Sequence, residues 1–146
     1  LWDWSRNREL FTTNDRVSFG AAVFSVSFTP DSRRLVTAGA NEEAVVWDTS
    51  TGKDLLALQH SHRLRDAVFS HSGRYLATGT TAGTVTLWDA ASGELYLDRR
   101  AHGGSVLVRF TSDDRLLISA GRDGLIKAWD IEEIVVRDIA ISDHSL

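Results

Sequence analysis

The feature that most constrains this chain is a Trp-Asp dipeptide that recurs at a nearly constant interval. The dipeptide stands at Trp2-Asp3, Trp47-Asp48, Trp88-Asp89 and Trp129-Asp130. Successive tryptophans are therefore 45, 41 and 41 residues apart. A period of about 20–50 residues indicates a repeat architecture, in which each unit is small and buries its apolar face only by packing against its neighbours.

Each repeat is predicted to contain four short strands. Residues 84–87 alternate polar and apolar side chains, which is typical of a half-buried strand, and 90–93 form a turn-like cluster ending in glycine. A phenylalanine stands 19 residues before each of the last three tryptophans of these dipeptides. The predicted strands are 23–28, 34–38, 44–48 and 54–59 in the first unit, 64–69, 75–79, 84–89 and 94–99 in the second, and 105–110, 116–120, 125–130 and 133–139 in the third.

The two ends of the chain fit the same pattern. Residues 1–13 are predicted to be the end of a Trp-Asp strand followed by an outer strand that includes Glu9, Leu10, Phe11 and Thr12. No helix is predicted. The closest candidate runs from Ile131 to Ile141, but its β-branched residues favour an outer strand and a tail. Because the chain starts at Leu1 inside the repeat pattern, without a methionine, we expect it to be part of a longer polypeptide.

The phased phenylalanine, glycine and Trp-Asp positions resemble the WD40 repeat family, over nearly the whole chain. The resemblance implies an all-β fold, a segment of a β-propeller with about three four-stranded antiparallel blades and a partial N-terminal strand. Three blades are too few to close a ring, so an open segment is expected. The expected organisation is the end of a preceding repeat at 1–14, repeats at 15–59, 60–100 and 101–131, and an outer strand and tail at 132–146.

The same resemblance implies a buried polar network in each blade: a histidine before the first strand, a serine or threonine on the second, an aspartate in the next turn and the tryptophan. The third unit supplies His102, Ser119, Asp123 and Trp129. The second supplies His60, Thr78 and Trp88, with Ala82 at the aspartate position. The first supplies Thr37 and Trp47, with Phe19 at the histidine position and Asn41 at the aspartate position. We therefore expect the third blade to be the most rigid.

Some residues also resemble parts of catalytic, metal or phosphate-binding sites, but in each case a required feature is missing. Ser119, His102 and Asp123 could form a nucleophilic triad, but the serine is predicted on an inner strand rather than an exposed turn. His60 and His62 share a face of a strand, yet no acidic or cysteine partner is nearby. The chain contains no cysteine, and Gly103-Gly104 lacks the strand and helix of a phosphate loop. We therefore predict no catalytic, cofactor or metal site.

Recognition by a propeller usually falls on its loops. By resemblance to the family, the upper loops here are 19–22, 41–43, 62–65, 80–82, 103–105 and 122–124. Mixed charge on these loops suits a protein or peptide partner. The candidate partner-binding residues are Asn41, Glu42, Arg63, Arg65, Thr81 and Arg122. A net charge of −4 argues against a nucleic-acid partner, and no apolar run is long enough for a membrane helix.

The sequence thus predicts a non-catalytic scaffold for protein–protein interaction, binding a protein or peptide partner or other domains of its own chain. Its short, regular blades are similar to those of bacterial signalling proteins, and a cytoplasmic location is expected because no secretory leader is visible. The alternative hypothesis is a structural unit that completes a ring with other copies through its open end blades. The remote alternative is a hydrolase that uses Ser119 and His102.

Overall fold

The computed structural model describes residues 1–10 and 21–143, which form thirteen strands and one helix. The elements are β1 (Trp2–Asp3), β2 (Arg8–Glu9), β3 (Val23–Phe28), β4 (Arg34–Gly39), β5 (Glu43–Asp48), β6 (Asp54–Gln59), β7 (Leu64–Phe69), β8 (Tyr75–Thr80), β9 (Thr84–Asp89), β10 (Leu95–Arg100), β11 (Val106–Phe110), β12 (Leu116–Gly121), β13 (Ile126–Asp130) and α1 (Ile131–Asp143). Phe11, Thr12 and Phe19, with the roles predicted for them, lie outside the described residues.

The strands form four antiparallel sheets of two, four, four and three strands. The orders are β1-β2, β3-β4-β5-β6, β10-β9-β8-β7 and β11-β12-β13, and the last three sheets are called the first, second and third blades. The predicted all-β segment is confirmed, and within the described residues the sheets do not close a ring. Every strand predicted between residues 23 and 130 is present, with bounds within one residue of the prediction.

Consecutive blades pack face to face through two apolar clusters. The cluster between the first and second blades includes Val36, Val46, Leu64, Ala67, Phe69 and Leu76. The cluster between the second and third blades includes Ala77, Val85, Leu87, Val106, Val108 and Phe110. Trp88 and Trp129 are half-buried at the margins of these clusters, while Trp47 is only 3% exposed beside Leu35 and Val45. Burial of this apolar area is what holds neighbouring blades together.

The two ends of the array present apolar side chains to solvent. Phe28 of β3 is 46% exposed, whereas the equivalent Phe69 and Phe110 are 8% and 9% exposed. The register of the third blade places Leu107, Ala120 and Ile126 in one row, and all three are exposed. These end faces have the same chemistry as the two internal seams.

The predicted outer strand at 133–139 is wrong, because this segment lies within helix α1. The third blade therefore has three strands rather than four. The backbone N–H of Glu133 donates to Asp130 Oδ1 at 3.0 Å, which is a helix N-cap. Ile131, Ile134 and Val135 have helical spacing and pack on the cluster between the second and third blades. This amphipathic face and its cap outweigh the β-propensity of the branched side chains.

Helix α1, the single helix among the described residues, does not combine the length and apolar character that a membrane-spanning helix needs.

Antiparallel strands place the connections at two opposite edges of each blade. The upper edge carries the turns 40–42, 81–83 and 122–125 and the loops 60–63 and 101–105. The lower edge carries the turns after β3, β5, β7, β9 and β11, and helix α1 begins there.

Candidate functional site

The polar residues predicted in the third blade lie together in a continuous hydrogen-bonded chain. Trp129 Nε1 lies 3.0 Å from Ser119 Oγ, and His102 Nε2 lies 2.8 Å from the same oxygen. The other ring nitrogen of His102 is 3.1 Å from Asp123 Oδ1. Strand register places the tryptophan beside the serine. Ser119 pairs with Lys127 in β13, and Trp129, two residues further along the strand, lies on the same face of the sheet as Lys127.

The donors and acceptors of this chain can be assigned from their chemistry. An ionised Asp123 only accepts, so His102 Nδ1–H donates to it, and in the neutral ring Nε2 is then the acceptor. Ser119 then donates its hydroxyl hydrogen to Nε2 and accepts from the indole N–H of Trp129, which only donates. The buried polar groups of Ser119 and His102 are therefore satisfied, which avoids a cost of about 1–3 kcal/mol for each buried group left unpaired.

Asp123 also organises the upper loops around it. Its carboxylate accepts the backbone N–H groups of Gly103 at 2.9 Å and Leu125 at 3.0 Å. These two bonds, ahead of the contact with His102, lower the pKa of Asp123 from 3.8 to about 2. Asp123 is therefore ionised at neutral pH, consistent with its role as an acceptor.

The glycine that ends β12 provides room for the histidine. A Cβ at Gly121 would lie 2.3 Å from His102 Nδ1 and 2.6 Å from Asp123 Oδ1. The register position of Gly121 is occupied by Thr80 in the second blade, where the aspartate is absent. The small residue is thus needed where the complete network is built.

The second blade has a shorter version of the network. His60 Nδ1 lies 2.9 Å from the Leu58 carbonyl, so this nitrogen is the donor. Thr78 Oγ1 lies 2.8 Å from His60 Nε2, to which it donates, and it accepts from Trp88 Nε1 at 3.4 Å. A backbone carbonyl replaces the missing carboxylate, and burial lowers the pKa of His60 below 6.5. In the first blade, Trp47 Nε1 donates to Thr37 Oγ1 at 2.9 Å.

The arrangement of serine, histidine and aspartate matches the order of a catalytic triad, but its position does not suit one. Ser119 is fully buried, and His102 is only 4% exposed. The hydroxyl of Ser119 is also occupied by two partners. A substrate carbonyl could not approach the serine oxygen without opening the seam between the blades.

The six candidate partner-binding residues all lie at the upper edge or at the start of β7. Thr81 N donates to the Arg63 carbonyl at 2.8 Å, and Arg122 N donates to the Ser105 carbonyl at 2.9 Å. The carbonyl of Glu42, a residue with φ of 61°, accepts the backbone N–H of His60 at 2.9 Å. Thr81 and Arg122 thus tie a turn to the loop that enters the same blade, and Glu42 ties the turn of the first blade to the loop that enters the second, so the upper turns and loops are held to one another.

The charged side chains on this edge are available to a partner. Arg63, Arg65, Arg122 and Glu42 are all exposed. None of these four forms a salt bridge within the described residues. Asn41 is half-buried and Thr81 is exposed in the neighbouring turns.

A buried carboxylate that was not predicted from the sequence joins all three blades. Asp66 of β7 is 5% exposed; its Oδ1 accepts from Ser25 Oγ at 2.9 Å. Its Oδ2 accepts from Val108 N at 3.0 Å and from Arg109 Nη1 at 2.6 Å. The sequence contained one sign of this contact. Asp66 is an acid at the position that Ser25 and Leu107 occupy in the inner strands of the other two blades.

Two further contacts between blades were also missed. Arg34 of the first blade donates to the Ala90 carbonyl at 2.7 Å and the Gly73 carbonyl at 3.2 Å in the second. Asp114 of the third blade accepts the backbone N–H groups of His71 at 2.8 Å and Ser72 at 2.7 Å. Arg34 is the first residue of β4 and Asp114 lies in a turn, both at the lower edge, and the repeat pattern assigns neither of them a contact with another blade.

Comparison with protein families agrees with this architecture. The family described as WD domain, G-beta repeat matches residues 12–48, 52–89 and 93–130, and the chain belongs to this WD40 family. Each match ends at a Trp-Asp dipeptide, whereas the first and second blades include one more strand after that dipeptide. In the third blade, helix α1 follows the dipeptide instead.

Known relatives are WD-repeat proteins of greater length. The chain is 28% identical over 130 residues to serine-threonine kinase receptor-associated protein of Gallus gallus, covering 86% of this chain and 37% of the relative. It is 32% identical over 114 residues to WD repeat-containing protein 91 of Danio rerio, covering 75% of this chain and 15% of the relative. The chain thus spans less than two fifths of the length of either relative.

Solved structures show the same fold. A structure of U3-55K matches with a TM-score of 0.74 at 22% identity, covering 80% of this chain and 38% of that chain. A crystal structure of RRP9 WD40 repeats matches with the same TM-score, identity and coverage.

Proposed function

We propose that this chain is a non-catalytic part of a larger WD40 propeller and that its upper edge binds a protein or peptide partner. The proposal rests on the hydrogen bonding and the exposed charges of the upper edge. Its turns and entry loops are held to one another by backbone hydrogen bonds, while Arg63, Arg122 and Glu42 remain exposed without salt bridges in the described chain. A rigid surface with free charges of both signs suits a protein partner, because little entropy is lost on binding.

The buried polar groups support a scaffold role. His102, Ser119 and Asp123 bond to one another and to neighbouring backbone, and Ser119 has no exposed surface. Their arrangement stabilises the seam and presents no reactive group to solvent. WD40 relatives of this chain are in general interaction scaffolds, and we extend that role to this protein.

The test compares two charge reversals in the intact parent protein, expressed in its own cells. The variant Arg63→Glu/Arg122→Glu changes the upper edge, and Arg33→Glu, at an exposed lower-edge position, is the matched control. Affinity purification with quantitative mass spectrometry should show that at least one reproducible partner is lost from the upper-edge variant and retained by the control. An unchanged set of partners in the upper-edge variant would contradict the proposal.

A structural or assembly role is the second candidate, and the exposed end faces favour it. Phe28 and Val26 are 46% and 60% exposed on the first blade, and Ile126 is 76% exposed on the third. Sedimentation of the 146-residue chain distinguishes the two candidates. A defined dimer or larger ring that Phe28→Ser converts to monomer would favour assembly, whereas a monomer at all concentrations would favour a segment of one larger propeller.

A further inference from the structure

A polar cleft opens at the upper edge of the second blade, beside the candidate interaction surface. One wall is the end of β6 and the loop after it, and the other wall is formed by β8, β9 and β10. The lining residues are Gln59, His60, Ser61, His62, Thr80, Thr84, Thr86, Trp88, Leu95 and Asp98. We propose that this cleft binds a lysine side chain of a protein partner.

The third blade shows what the equivalent cleft holds. By register, Lys127 pairs with Ser119 as Thr86 pairs with Thr78, so Lys127 and Thr86 occupy the same position. Lys127 Nζ donates to the carbonyl of Ala101 at 2.5 Å. Ala101 is the residue before His102, as Gln59 is the residue before His60. The third blade therefore fills this space with its own lysine, and the second blade, with a short threonine there, leaves it open.

A hydroxyl without a hydrogen-bond partner lies just beneath the surface of the cleft. Thr86 is 2% exposed, and its Oγ1 is the buried side-chain oxygen for which the described residues provide no hydrogen-bond partner. The equivalent position in the first blade is Val45, so the fold does not require a polar side chain there. A hydroxyl oxygen at this site can accept from an ammonium group, which would remove the cost of leaving it unpaired.

A carboxylate beside the cleft attracts a cation. Asp98 pairs with Thr86 across β9 and β10 and lies on the same face of the sheet. Asp98 is exposed and forms no salt bridge with any described residue. His60 does not oppose a cation, because burial lowers the pKa of its ring and its Nδ1–H is bound to Leu58. The half-buried ring of Trp88 adds an aromatic surface that attracts an ammonium group.

This proposal rests on the proposed interaction function and names the chemistry that one part of the upper surface recognises. The test uses Nα-acetyl-lysine N-methylamide, with Nα-acetyl-norleucine N-methylamide as the uncharged control of similar length. The readout is the indole N–H signal of Trp88 in nitrogen-15 NMR spectra, assigned with Trp88→Phe. We expect the signal to shift in a saturable way with the lysine compound. The norleucine compound should bind with an affinity at least tenfold weaker, or should cause no shift.

Variants locate the site. Asp98→Asn should weaken binding of the lysine compound roughly tenfold, since it removes one charge-assisted contact. Thr86→Lys should abolish binding, because the new side chain can occupy the cleft as Lys127 does in the third blade. That variant should also stay folded for the same reason. Asp113→Asn, at an exposed position of the lower edge, is the matched control and should bind as the unchanged protein does.

Equal shifts from both compounds, no shift from the lysine compound, or unaltered binding in Asp98→Asn and Thr86→Lys would each overturn the proposal. The failure of this proposal is distinguishable from the failure of the interaction function. If the parent protein loses its partner in Arg63→Glu/Arg122→Glu but not in Asp98→Asn, the upper edge binds a partner and the cleft does not contribute.

Discussion

At the scale of single residues, the upper edge of the third blade depends on a glycine at the end of β12. The absence of a side chain at Gly121 lets the His102 ring reach both Ser119 and Asp123. A side chain there would have to displace a ring that is held at both nitrogens. The histidine, serine, aspartate and glycine are therefore one unit, and the glycine is as necessary to it as the polar residues.

We predict that Gly121→Ala destabilises the protein by roughly 1–3 kcal/mol, because the new methyl group overlaps His102 Nδ1. Gly103→Ala is the matched control, since its Cβ would meet Asp123 Cβ at an ordinary 3.6 Å. The control should change stability by no more than about 0.5 kcal/mol. Urea unfolding followed by tryptophan fluorescence measures both values, and equal effects of the two variants would show that the crowding argument is wrong.

The second residue-scale prediction concerns acid sensitivity. His60 has a folded-state pKa below its ordinary 6.5 because burial disfavours the charged ring. The unfolded chain therefore binds a proton more readily than the folded one. Stability from this residue is complete above pH 6.5 and is lost as the pH falls below 6.5 toward the folded-state pKa.

Thermal unfolding at about pH 8 and about pH 5.5 tests this direction. The protein should lose more stability between these two pH values than the variant His60→Gln, which keeps polar atoms but does not titrate. His62→Gln, at an exposed neighbouring position, is the control and should retain the loss seen in the unchanged protein. An equal loss in the protein and in His60→Gln would assign the acid sensitivity to another group.

At the scale of elements, helix α1 shows where local signals compete with a repeat. Its N-cap and its apolar face of Ile131, Ile134 and Val135 are visible in the sequence, but the regular repeat predicted a strand in the same place. The exposed Val136 interrupts the apolar face and makes the segment look like a strand. The helix is recognised only once its packing against β10 and β13 is known.

We predict that Ile131→Ala costs about 2–5 kcal/mol and reduces helix content, because Ile131 is 2% exposed at the start of the helix. Val136→Ala is the control on the same helix, with Val136 58% exposed, and should be neutral or slightly stabilising because alanine has the higher helix propensity. Circular dichroism during urea unfolding measures both. If the two variants lose equal stability, the helix does not depend on its packed face.

The strands themselves could be predicted because their signals are local. Alternation in β9 and the phased phenylalanines fix the position of each strand without knowledge of its neighbours. The contacts between blades could not be predicted in the same way. Arg34, Asp66 and Asp114 bond to atoms about 40 residues away, at separations of 39, 42 and 43 for Gly73, Val108 and His71. Such partners are known only after the blades are arranged.

At the scale of the whole molecule, Asp66 links the inner strands of three blades. Its carboxylate binds Ser25 of the first blade and both Val108 and Arg109 of the third. The two acceptor oxygens are buried, while the Arg109 side chain is 65% exposed. The backbone N–H and the hydroxyl therefore contribute more to this link than the salt bridge does.

This difference predicts unequal effects of removing the two charged partners. Asp66→Ala should cost roughly 1–3 kcal/mol, because it leaves the Val108 N–H unpaired in a buried site. Arg109→Ala should cost less than about 1 kcal/mol, since an exposed partner of a salt bridge contributes little. Urea unfolding of both variants measures the difference, and a larger loss in Arg109→Ala would show that the ion pair dominates the link.

The repeated chemistry of the seams has a consequence for how such proteins change in evolution. Phe69 and Phe110 are buried in the two internal seams, and Phe28 presents the equivalent side chain at the exposed end of the array. A duplicated gene segment encoding one complete unit could therefore be inserted at either boundary without redesign of the surfaces on each side. Diversity among descendants would then accumulate in the number of units and in their upper loops, while the joints between units stay interchangeable.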